Sequence, residues 1–97
     1  MVSVTVSGVV TSEISFSAPP KTIECASFVV ESNDVDSKPL RFAVLAFGTQ
    51  AKRASTFLKQ GTRVNLFGRM EARQDEKRVT VALSAFEVQE GAKANGN

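Results

Sequence analysis

Residues able to carry out a reaction are few in this chain, and residues able to hold a polyanion are many. There is no histidine, and the single cysteine, Cys25, has no second thiol to pair with. The usual general base is therefore missing, as are the His- and Cys-rich ligand sets of zinc sites. Neither a GxxxxGK[ST] phosphate loop nor a GxGxxG fingerprint occurs. Glu71, Asp75 and Glu76 form the one acidic cluster, and their place between two apolar runs reads as a solvated hairpin. Cys25 reads as a small strand residue. These absences predict a binding protein and not an enzyme, with no metal, no cofactor and no small-molecule substrate.

Charge is distributed unevenly along the chain. Residues 41–78 hold nine basic side chains (Arg41, Lys52, Arg53, Lys59, Arg63, Arg69, Arg73, Lys77 and Arg78) against three acidic ones. Residues 1–40 lean acidic, with Glu13, Glu24, Glu31, Asp34 and Asp36 against Lys21 and Lys38. A basic middle is the footprint of a polyanion-binding face, or simply a solvated surface; charge alone does not choose. The seven phenylalanines add the second half of a chemistry. Guanidinium groups neutralise phosphates, and flat rings stack on unpaired bases.

Those side chains need a scaffold. Val2, Val4 and Val6 alternate with Ser3, Thr5 and Ser7, the period-two pattern of a strand, and Gly8 marks a bend in it. A serine- and proline-rich loop over 12–22 follows, with a brief extended piece at Ile14–Phe16. The second main strand is predicted at Ile23–Glu31 and the third at Leu40–Phe47, separated by an acidic turn. Ala51, Ala54, Phe57 and Leu58 then fall at helical spacing, with Lys52, Arg53 and Ser55 facing away and Gly61 placed as a C-cap. Strands from Thr62 to about Arg73 and from Arg78 to about Gln89 complete the pattern, joined by a polar turn. Five strands with one helix between the third and fourth, and glycines at strand bends, describe an all-β OB-fold barrel. One domain is expected over 1–90, with a polar, disordered tail over 91–97.

Alternation then assigns faces. Phe42, Val44 and Ala46 share one side of the third strand, and Arg41, Ala43, Leu45 and Phe47 the other. On the next strand Val64 and Leu66 read as core, with Arg63, Asn65 and Phe67 outward until Gly68 resets the phase. Phe28, Phe42 and Phe57 are expected in the core, Phe57 plugging the barrel bottom. Phe47 and Phe67 are expected outside. Phe86 fits either place, and Phe16 is either a stacking residue or a loop anchor. The candidate nucleic-acid-binding set is Arg41, Phe47, Lys52, Arg53, Arg63, Asn65, Phe67, Arg69, Arg73, Lys77 and Arg78.

The segment FAVLAFGTQAKRASTFLKQGTRVNLFGRMEAR, with the VSGVV opening and the CASFVVES strand, resembles the central block of bacterial single-stranded DNA-binding proteins. The resemblance runs over about residues 2–88. It implies a five-stranded OB barrel that forms dimers or tetramers and wraps single-stranded DNA in replication, recombination or repair. By position it makes Phe47 the stacking phenylalanine, while Arg41 stands where the family often has a stacking tryptophan and Asn65 where an aromatic is common. The chain has no Trp or Tyr, so binding is expected to lean on phosphates. The family's replication members carry a long tail with an acidic tip that recruits partner enzymes, whereas this chain ends in GAKANGN. The short form is similar to PriB-type primosomal proteins, which makes a replication-restart adaptor with replication or restart partners one alternative, and an RNA-binding OB module another. The longest apolar run, Phe42–Phe47, is far short of the roughly 20 residues a membrane span needs, and no basic leader precedes an apolar block. A cytoplasmic, nucleoid-associated location is expected, with a plastid location as the alternative.

Overall fold

A computed structural model describes residues 2–18, 20, 22–32, 39–71 and 79–89. The N-terminal alternation forms β1 (Val2–Val10), with Val6 and Val10 buried and Ser3, Thr5 and Ser7 exposed. After it come β2 (Ser15–Ser17), β3 (Cys25–Ser32), β4 (Leu40–Phe47), α1 (Thr49–Phe57), β5 (Arg63–Glu71) and β6 (Val79–Val88).

β1 pairs antiparallel with β5 from Val2–Met70 to Val9–Arg63, and its last two residues also pair with β3, through Val9–Glu31 and Val10–Val30. One strand serves two neighbours because the backbones close up at Gly8, where a side chain would run into the carbonyl oxygen of Glu31. β3 is antiparallel to β4, β4 is parallel to β6, and β6 is antiparallel to β5. The circuit β1–β5–β6–β4–β3–β1 is closed, which leaves these five strands no free edge. The result is the expected OB barrel, with its helix between the third and fourth barrel strands. β2 lies outside the circuit as a short extra strand on β3, within the stretch read as a loop with a brief extended piece.

Valines and leucines from all five strands fill the interior, among them Val30, Val44, Val64, Leu66 and Val81, joined by Phe28 and Phe42. The barrel end is closed by α1, but not with the residue the spacing suggested. Phe57 is 60% exposed, whereas Leu58 is 5% exposed and takes the plugging position. Ala51, Ala54 and Leu58 follow one i, i+3, i+7 stripe toward the barrel, and Phe57 falls beside it. The helix stops at Phe57, with Leu58 extended as its C-cap. Gly61 is therefore not the cap; with φ 98° it forms the turn before β5, and its N–H donates to the carbonyl of Val10 at 2.7 Å.

The phase change expected at Gly68 occurs on its neighbour instead. β5 keeps Val64, Leu66 and Gly68 inward throughout. Phe67 pairs with Ala85 and Gly68 with Leu83, so Ser84 is an extra residue and β6 carries the bulge. Val81 and Leu83 face inward before it, and Phe86 faces inward after it. The bulge thus decides the one phenylalanine that alternation left open. Gly68 permits the close approach there, since a Cβ would collide with the carbonyl oxygen of Ala82 and come within 2.8 Å of a Val81 methyl.

Candidate nucleic-acid interface

The outward residues of β3, β4, β6 and β5 form one continuous wall. Strand register places Ser27, Leu45, Ala82 and Arg69 in one row across it, and Val29, Ala43, Thr80 and Glu71 in the next. The floor of the wall is uncharged, from Ser27, Val29, Ala43, Leu45, Thr80 and Ala82, and its charged side chains stand at the margins.

Phe47 closes β4 opposite Cys25 and is 47% exposed. The N–H of the following Gly48 donates to the carbonyl of Glu24 at 2.9 Å, which fixes the strand end and starts α1. Phe47 sits two residues beyond Leu45–Ala82, the last pair of β4 with β6, and Phe67 pairs with Ala85. The two phenylalanines thus stand on the outer faces of the two strands that flank β6.

Three of the sequence-predicted cations border the same wall, each beside a carboxylate. Arg41 faces Glu31 across β3 and β4, its Nε donating to Oε2 at 3.2 Å. Lys52 reaches from α1 to Glu24, 3.4 Å from Nζ to Oε2, next to the Phe47 corner. Arg69 lies 4.0 Å from Glu71 on the same face of β5. The Glu24 carboxyl is held below the ordinary carboxylate value, first by its own backbone N–H, against the opposing effect of desolvation, and further by the hydrogen bond and charge of Lys52.

The remaining predicted residues are placed differently. Asn65 and Arg63 continue along β5 away from Arg69 toward β1. Ser7 Oγ and Gln89 Nε2 both donate to Asn65 Oδ1, each at 2.6 Å. That leaves the Asn65 amide nitrogen as the donating end of the side chain, with no partner among the described residues. Arg63 is exposed and has no carboxylate partner among the described residues. Arg53 does not reach the wall. Its guanidinium stacks on the buried Phe86 ring at 4.5 Å, and its Nη1 donates to Gln50 Oε1 at 3.0 Å. The side chain read as facing solvent therefore covers the barrel end as a cation–π lid. Phe16, half exposed on β2, is in register with the buried Ala26 and lies by α1, off the wall. Arg73, Lys77 and Arg78 lie outside the described residues.

Sequence reasoning passed over Ser84 and the three carboxylates. Ser84 gains its exposed place on the wall from the bulge, which no local pattern announces. Glu31 was legible in principle, since alternation puts it on the face shared by Cys25, Ser27 and Val29. Among the described residues no group of histidine, cysteine or carboxylate side chains is arranged to hold a metal ion.

A closed OB barrel with one broad outer wall, bordered by rings and cations, defines a binding module. The chain matches the model of the single-strand binding protein family over residues 1–91, and it belongs to that family. Its fold is similar to that of the second single-stranded DNA binding protein (SSBb) of Mycobacterium smegmatis, with a TM-score of 0.81 at 22% identity over 93% of this chain and 90% of that one. It is similar also to the small single-stranded DNA-binding protein of Streptomyces coelicolor, with a TM-score of 0.85 at 18% identity over 94% and 96% of the two chains. The SSB domain of a Synechococcus protein gives 0.76 at 18% identity over 90% and 94%. No curated protein matches the chain.

Proposed function

We infer that this protein binds single-stranded DNA on the wall of β3, β4, β6 and β5, without regard to base sequence and without chemistry on the strand. The observation that carries this is the placement of Phe47 and Phe67 on the outer faces of the two strands flanking β6, with Arg41, Lys52 and Arg69 at the margins of the same wall. Bases stack on the rings, which tolerates any sequence because every base has a π-face. Phosphates track the cations, and their counterions are released. Asn65 and Arg63 extend the path along β5, and Arg73, Lys77 and Arg78 are proposed as further phosphate contacts from their charge in the sequence. Arg53 acts on the barrel end and not on the strand.

The proposed functional unit is an OB domain over residues 1–90 that works as a homodimer or homotetramer in replication, recombination or repair. Among the described residues no helix is long and apolar enough to cross a membrane; a cytoplasmic, nucleoid-associated location is proposed. The test is a titration of labelled dT oligomers of increasing length at two salt concentrations. Affinity should rise with length to a defined site size and fall steeply with salt. Affinity independent of salt would remove the phosphates from the account.

A further inference from the structure

Each of the three cations bordering the wall is met by one of the protein's own carboxylates. The pairs are Arg41–Glu31 at 3.2 Å, Lys52–Glu24 at 3.4 Å and Arg69–Glu71 at 4.0 Å. They arise in three independent ways: directly across two strands, from helix to strand lead-in, and two residues along one strand. All three cations keep about half or more of their side-chain surface in solvent, at 67%, 64% and 48%. Ion pairs so exposed contribute little to stability, so folding is a weak reason for them. The same exposure lets a phosphate reach each cation.

We propose that Glu24, Glu31 and Glu71 are built-in counter-charges of the DNA-binding wall, which occupy the phosphate sites in the free protein and set how tightly a strand is held. The proposal rests on the single-stranded DNA reading above. A phosphate that takes Arg41 leaves Glu31 without its partner, in the field of the incoming strand. The stranded carboxylate repels the phosphate and gathers a cation from solution. Cation uptake by the protein then offsets part of the counterion release from DNA, which weakens binding and flattens its salt dependence. The arrangement favours a long polyanion, whose many phosphates act together, over isolated anions. It also keeps the strand exchangeable.

Glu31→Gln, Glu24→Gln and Glu71→Gln keep side-chain size and remove the charge. Each should tighten dT binding by roughly two- to fourfold, the effect of one unit charge about 6 Å from a phosphate in a water-like dielectric. The triple variant should bind roughly tenfold or more tightly at low salt and show a steeper plot of log affinity against log salt. Glu13→Gln is the control. Glu13 is an exposed carboxylate between β1 and β2 with no cation partner among the described residues, and its loss changes net charge as much as each single substitution does. Circular dichroism melting confirms that each variant is folded. If the triple variant binds with the affinity and salt slope of Glu13→Gln, the counter-charge assignment is overturned while the DNA reading stands. If neither wild type nor variants bind dT oligomers, the DNA reading falls and the assignment with it.

Discussion

At the residue scale, two exposed phenylalanines make opposite claims. Phe57 is the more exposed, yet it ends α1 and is not on the wall; Phe47 closes β4 next to Lys52 and Glu24. Phe47→Ala should weaken dT binding by about 1–3 kcal/mol, the usual worth of one stacked base. Phe57→Ala should leave affinity unchanged. Fluorescence titration of both variants checks this, and equal losses would remove Phe47's special role. Phe86 makes a third kind of claim, being 3% exposed beneath the Arg53 guanidinium. Phe86→Ala should lower stability by about 3–5 kcal/mol, read as the midpoint of urea unfolding. Phe47 was legible because a strand-end phenylalanine before glycine can be placed by alternation alone. Phe57 was misplaced because Phe57 and Leu58 both fit helical spacing, and packing against the barrel chose between them.

At the scale of elements, β6 and its neighbour govern the geometry of the wall. The bulge at Ser84 turns Phe86 inward and sets Ala85 opposite Phe67. Gly68 is the permissive residue, since Ala82 and Val81 fill the space a Cβ would need. Gly68→Ala should cost on the order of 1–3 kcal/mol through overpacking. It should also reduce dT affinity, because shifting β6 changes the separation of Phe47 and Phe67. Thermal melting and titration of one sample test both effects; an unchanged melting temperature would mean the strands relax freely. The third barrel strand was legible to the residue, Leu40–Phe47, because its inner face alternates cleanly. The bulge was not, because the extra residue appears only when two strands are laid side by side.

For the molecule as a whole, the balance between cations and carboxylates matters more than the net charge of +2. Binding should be salt-dependent and nearly indifferent to base composition. Arg69→Ala should weaken dT and dC oligomers alike and reduce the salt slope by about one. A loss confined to one base would indicate a base-reading contact in place of a phosphate contact.

The chain alone determined its strand periods, the order of strands and helix that makes an OB barrel, and the concentration of basic residues in its middle. These are local properties, written in neighbouring side chains. Tertiary structure decided which carboxylate meets which cation, that Arg53 covers Phe86, and where β6 changes face. Those outcomes depend on register between segments far apart in sequence, and a slip of one residue would send every side chain of a strand to the opposite face.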